Sequence, residues 1–173
     1  TVAGKVMFVC ASREIAYKLF KEIIRLRPEW NEQAIAENLS DKEQKEIKPI
    51  ERIKMVMTRS KDDEESLWNL LGTKEDRKEL DRQFKQMHSN FKIAIVVDMW
   101  LTGFDVPFLD TIYIDKPLQT QNLIQTISRV NRKIEGKDKG LVVDYIGIKK
   151  NLNHALGLFN NSTAADDFED LDK

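Results

Sequence analysis

Five short apolar runs constrain this chain more than any other feature: Lys5–Cys10 (KVMFVC), Ile53–Thr58 (IKMVMT), Lys92–Asp98 (KIAIVVD), Thr111–Asp115 (TIYID) and Gly140–Tyr145 (GLVVDY). Their apolar residues run on rather than alternate, the pattern of parallel strands covered on both faces. Helical patterns lie between most of them. Glu14–Arg27 carries Ile15, Leu19 and Ile23 at spacing four, Lys74–His88 carries Leu80, Phe84 and Met87, and Gln119–Arg132 carries Leu123, Ile127 and Val130, both at four and three. This alternation predicts an α/β fold in three layers, with right-handed crossovers and a mainly parallel sheet of five or more strands.

The remaining segments are less regular. Pro28–Arg52 mixes charges of both signs and reads as a loop plus a helical excursion at about 28–52. Asp62–Thr73 holds a short helix around Leu67 and Leu70. Residues 1–150 are expected to form one lobe, and 151–173 a C-terminal helix, Asn151–Phe159, followed by an acidic tail. That tail, Ala164–Lys173, holds five acids and one base and reads as a frayed end. The abrupt entry into the first strand from Thr1, without an initiator Met, suggests a fragment of a longer protein.

Several function classes lose support. Lys and Arg number 28 against 29 Asp and Glu, a net charge of -1, so any nucleic-acid contact must come from a local patch. One cysteine and two histidines do not make a structural zinc site, which takes about four N or S ligands. A single Cys10 forms no internal disulfide and fits a cytoplasmic location. The apolar runs fall far short of the roughly 20 residues of a membrane helix. There is no phosphate loop: Gly4-Lys5 and Gly136-Lys137 lack the following hydroxyl residue and the upstream glycine. Glu135-Gly136-Lys137 has the E-x-K form of some nucleases but no matching upstream acid.

Three constellations remain. Gln125, Arg129 and Arg132 are spaced four and three, so one helix face projects an amide and two guanidiniums while Leu123, Ile127 and Val130 bury on another. Guanidinium suits a transferring phosphoryl group because its planar fork holds several oxygens and keeps its charge; a solvated surface helix would carry the same spacing. Asp98-Met-Trp-Leu-Thr-Gly-Phe-Asp-Val-Pro107 follows a strand, where open α/β sheets bind ligands. There Gly103 permits close backbone approach or a positive φ, Asp105 offers a carboxylate to a ribose hydroxyl or an arginine, and Pro107 stiffens the exit; an ordinary turn would also use a glycine. Finally, Ser12-Arg13 and Thr58-Arg59-Ser60-Lys61 set hydroxyls and cations after the first two strands, suited to a nucleic-acid backbone, although Ser12 equally fits a helix cap.

The order of these pieces resembles a known family. Lys5–Arg13 resembles helicase motif IV, Val97–Pro107 motif V, and Gln125-Thr-Ile-Ser-Arg-Val-Asn-Arg132 motif VI. Together they resemble the C-terminal RecA-like lobe of superfamily 2 helicases. The wording L-T-G-F-D-x-P, then Q-x-x-x-R-x-N-R, then Gly140–Gly147 is similar to the motor (R) subunit of type I restriction–modification enzymes. The resemblance covers about residues 5–148. It implies an ATP and Mg2+ site shared with a first lobe outside this chain. Arg132 would be the arginine finger, Arg129 its support, and Gln125, Gly103 and Asp105 nucleotide contacts. Ser12, Arg13, Thr58, Arg59, Lys61 and Thr102 would meet the DNA backbone. Many relatives have His at Gln125 and Gly at Ser128 and Asn131.

By the same resemblance, cyclic lobe closure would drive translocation along double-stranded DNA. The partners would be the N-terminal motor lobe and nuclease domain of the same chain, and modification and specificity subunits, with no membrane. The lobe alone would hydrolyse no ATP. Other superfamily 2 motors, such as a type III restriction subunit or a repair helicase, are alternatives. A non-catalytic α/β domain that binds a partner protein through Pro28–Arg52 is another.

Overall fold

The computed structural model describes residues 4–101, 104–130 and 140–147, without the side chains of Thr120, Gln121 and Arg129. Thr102, Gly103, Arg132, the Glu135–Lys137 turn, the expected helix Asn151–Phe159 and the acidic tail lie outside these residues.

The five apolar runs become strands of one sheet: β1 (Lys5–Cys10), β4 (Ile53–Val56), β5 (Ile93–Val96), β6 (Leu109–Asp115) and β7 (Leu141–Asp144). Their order is β4-β5-β1-β6-β7, and every neighbouring pair is parallel. Helices α1 (Arg13–Leu26), α3 (Glu65–Leu71), α4 (Lys74–Lys85) and α5 (Thr120–Val130) supply the crossovers. Burial matches the helical patterns. Leu80 and Phe84 of α4, and Leu123, Ile127 and Val130 of α5, are buried with Met7, Val9, Ile112 and Ile114 on one face of the sheet. Ala16 and Phe20 of α1 and Leu67 and Leu71 of α3 bury with Ile53, Met55, Ile93 and Ile95 on the other. Each of these side chains larger than Ala16 contributes about 1.5–3 kcal/mol by leaving water. The three layers expected from the sequence are present, with mostly shorter strand bounds; β6 instead starts earlier, at Leu109.

The charged excursion holds more than a loop and a helix. It contains a 3-10 turn (Pro28–Asn31), helix α2 (Asp41–Glu46) and a two-stranded antiparallel sheet of β2 (Gln33–Ala34) and β3 (Ile50–Glu51). A capping box starts α2: the Ser40 hydroxyl accepts from Glu43 N, and the Glu43 carboxylate accepts from Ser40 N. Hydrogen bonds to that carboxylate from the Ser40 side chain and backbone, and a third from His88, hold Glu43 down at about 2. The excursion is thereby tied to the residues after α4. Among the described residues no helix is long and apolar enough to cross a membrane.

Candidate functional site

Parallel strands end on one edge of the sheet, so the segments after β1, β4 and β5 adjoin there. Ser12 and Arg13 follow β1, Thr58, Arg59 and Lys61 follow β4, and Asp98–Leu101 follow β5. The sequence-predicted backbone contacts Ser12, Arg13, Thr58, Arg59 and Lys61 therefore share an edge. Their side chains are engaged to different degrees. Ser12 caps α1, its hydroxyl accepting from Ile15 N at 3.2 Å. Arg13 grips Asp63 with two nitrogens, one at 2.5 Å from both carboxylate oxygens, and donates to the Thr58 carbonyl at 2.8 Å. Burial works to raise the Asp63 carboxyl, but Arg13 and the Ser60 amide together hold it below its ordinary value. Arg59 donates to the Trp68 carbonyl and lies 4.9 Å from the centre of its ring. Lys61 is exposed. Thus the two arginines brace loops, and a phosphate would meet only their remaining donors.

The cations that line an open groove on this edge are others. A space of about 340 Å³ is bounded by Thr58, by Lys74, Arg77, Lys78 and Asp81 of α4, and by Met99 and Trp100. Lys74, Arg77 and Lys78 make no ion pair among the described residues, and the Asp81 carboxylate is held by Lys85 at 2.8 Å. Sequence reasoning missed them. Their signal was weak, because Lys74-Glu75-Asp76-Arg77-Lys78-Glu79 looks like a self-neutralised surface. Asp76 is in fact occupied by the cap of α4, accepting from Thr73 N and Oγ1 at 2.6 and 2.8 Å.

The floor of the groove is rigid. Trp100 has φ +66, a conformation a bulky residue adopts only when its surroundings hold it. Its ring stacks 4.0 Å from Phe104 and 5.2 Å from Phe84. Leu101, Phe104 and Val106 are all at least 95% buried, so the residues flanking 102–103 are anchored on both sides. Lys116, after β6, ties Asp98 and donates to the Val97 carbonyl at 3.3 Å. Asp105 is exposed.

On α5 the apolar stripe is fully buried, and Gln125 is exposed, as its spacing predicts. Arg129 lies within the same helix. Gly140 fixes how β7 meets α5: a Cβ there would lie 2.2 Å from the Val130 carbonyl oxygen, so only glycine fits. An exposed amide and an exposed carboxylate suit nucleotide hydroxyls and base edges. No group of three or more His, Cys, Asp or Glu among the described residues could hold a metal.

A family model described as type I restriction enzyme subunit R domain 3 matches residues 4–147. The chain belongs to the type I restriction enzyme R-subunit family. It is 40% identical, over 94% of its length, to the HindI endonuclease subunit of Haemophilus influenzae. It is 37% identical, over 97%, to a putative type I endonuclease subunit, MjaIXP, of Methanocaldococcus jannaschii. The chain spans 14% of the length of each of these relatives. Among solved structures, a fragment of a putative HsdR subunit from Vibrio vulnificus YJ016 matches with a TM-score of 0.54 at 16% identity, covering 86% of this chain and 24% of that one. The C-terminal domain of the DEAD-box protein Dbp5 matches with a TM-score of 0.55 at 15% identity, covering 94% and 73%. Saccharomyces cerevisiae Dbp5 bound to RNA and ADP BeF3 matches with a TM-score of 0.53 at 15% identity, covering 92% and 32%. The R-subunit domain thus has the fold of a RecA-like helicase C-terminal lobe.

Proposed function

We propose that this R-subunit domain is the second motor lobe of an ATP-dependent DNA translocase within a type I restriction endonuclease. The carrying observation is the sheet edge on which Thr58, the β5–β6 segment and three cations of α4 that make no ion pair among the described residues converge. Lys74, Arg77 and Lys78 would grip phosphates rather than bases, so movement would be independent of sequence. Thr102, Lys61 and the remaining donors of Arg13 and Arg59 would extend that track along duplex DNA, with Ser12 orienting it through the cap of α1. The likeness in fold to part of a protein solved with RNA and ADP BeF3 is in keeping with a nucleic-acid and nucleotide role.

Bound between this lobe and a first lobe, ATP with Mg2+ would supply the free energy of the stroke. On this side Arg132 would hold the terminal phosphate, Arg129 would support it, and Gln125, Gly103 and Asp105 would orient the nucleotide. An arginine supplied this way raises hydrolysis by roughly 10³–10⁵. The metal ligands and phosphate loop would come from the first lobe, which with a nuclease domain would lie elsewhere in the same polypeptide. Modification and specificity subunits would complete the enzyme, working in the cytoplasm. In the full-length R subunit, Arg132→Ala should lower DNA-stimulated ATP turnover by roughly 10³-fold or more and abolish translocation while leaving DNA binding in place. Unchanged turnover in that variant refutes the finger role.

A further inference from the structure

The Asp81–Lys85 pair on α4 joins two parts of the site. Asp81 lines the cationic groove, and its carboxylate accepts from Lys85 Nζ at 2.8 Å. The same ammonium lies 4.7 Å from the centre of the Phe104 ring. Phe104 is buried, stacks 4.0 Å from Trp100 on the groove floor, and directly precedes Asp105. Lys85 therefore touches both the wall that carries Lys74, Arg77 and Lys78 and the residue next to Asp105. An ordinary surface pair at this spacing turns its cation to water. This cation is turned onto an aromatic face, where the ring quadrupole attracts it.

Charge gives the contact a direction. Arg77 and Lys78 stand four and three residues before Asp81, on its own side of the helix. A phosphate gripped there would add negative charge beside the Asp81 carboxylate and press it towards its own cation. Lys85 would then be held more firmly on Phe104, whose ring is already fixed against Trp100 and Phe84. The backbone entering Asp105 would be held with it. Both partners of the pair are partly exposed, so the pair itself adds little to stability.

We propose that Lys85 is a positioning residue that couples occupancy of the DNA groove to the setting of Asp105, through Asp81 and Phe104. The inference rests on the reading of the groove as the DNA path. Its readout, in the complete enzyme, is the ratio of ATP turnover with saturating duplex DNA to turnover without it. Lys85→Gln should lower that ratio roughly fivefold or more, the low end of an ordinary coupling between sites. Lys85→Arg, which can still pair with Asp81 and lie on the ring, should keep most of it. Asp81→Asn should lower the ratio as far, yet bind duplex DNA as tightly as the wild type or tighter, because the groove has lost an acid. The double variant should fall no further than either single one. Urea midpoints should not move. A full ratio in Lys85→Gln overturns the proposal, as does a lost ratio that comes with a shifted midpoint, or weaker DNA binding by Asp81→Asn. Replacing Lys74, Arg77 and Lys78 together by Gln separates the two levels. If that variant binds duplex DNA as the wild type does, the groove is not the DNA path, and the reading and the inference fall together. If it binds more weakly while Lys85→Gln keeps its full ratio, the inference alone falls.

Discussion

The two ends of α4 treat charge in opposite ways. At its C-terminal end, on the anchored edge of the sheet, polar groups are tied to one another. The amide nitrogen of buried Gln83 donates to Glu46 O and Glu79 Oε1, both at 2.8 Å, while its oxygen accepts from Lys48 N and Ser89 Oγ. Its carbonyl accepts from Lys5, which is itself fully buried and also donates to Phe91 O at 2.8 Å. Burial first, and Lys92 second, push Lys5 down to about 6, so near neutrality it serves as an amine donor rather than a free charge. At the N-terminal end Lys74, Arg77 and Lys78 line an open groove without an ion pair among the described residues. One helix thus carries a fixed end and a working end. Under the proposed function, charge that holds the fold finds internal partners, and charge that would meet DNA makes no ion pair among the described residues.

The sharpest way to break this contrast is to attack the fixed end. Gln83→Ala removes partners from Lys48 N, Ser89 and Glu46 O. Leaving buried polar groups unpaired costs about 1–3 kcal/mol each, partly relieved by water. Urea denaturation should therefore show a loss of roughly 3 kcal/mol. DNA affinity of folded full-length protein should be unchanged. A loss below about 0.5 kcal/mol, the range of ordinary surface changes, would mean the network is not an anchor.

The working end should behave in reverse. Replacing Lys74, Arg77 and Lys78 together by Gln should alter stability by no more than about 0.5 kcal/mol per site. In the full-length R subunit it should lower the slope of log affinity against log salt by about 3, near 0.9 for each phosphate no longer neutralised. An unchanged slope would place the DNA path elsewhere. Arg59→Gln is the internal comparison: its guanidinium already donates to Trp68 O, so its slope change should be smaller than that of a single neutralised phosphate.

Much of this fold could be read from sequence because its signals are local. The buried runs place all five strands of the main sheet, and the stripe Leu123, Ile127, Val130 places the buried side of α5. Strands β2 and β3 escaped because two residues each are too few for a period to show. The site was half legible. Helix spacing exposed Gln125, and the strand ends gathered Ser12, Arg13 and Thr58. The partner of Arg13 is Asp63, fifty positions away, and only the fold brings them together. Likewise, that Lys74, Arg77 and Lys78 line one groove while Asp76 caps α4 follows only from the fold.

The mildest test concerns the excursion fastened beside the fixed end. Glu43 is held at about 2 in the folded protein by Ser40 and His88, against an ordinary value of 4.5. A depressed carboxyl stabilises the fold above its unfolded value, and that contribution is lost as pH falls through the folded value. The attachment of α2 should therefore weaken between about pH 4.5 and pH 2. Asp63 and Asp76 are also held low, so acid destabilises the wild-type protein for several reasons at once. Glu43→Gln isolates one of them. The glutamine can still accept from Ser40 but does not titrate, so the variant should lose less stability across this window than the wild type does. Amide exchange at Gln44–Ile47, compared with β4, would localise the difference to α2. Equal acid responses in the two proteins would show that the Glu43 charge does not fasten the excursion, leaving Gln83, Gln86, Asn90 and the Lys48–Glu79 pair to hold it.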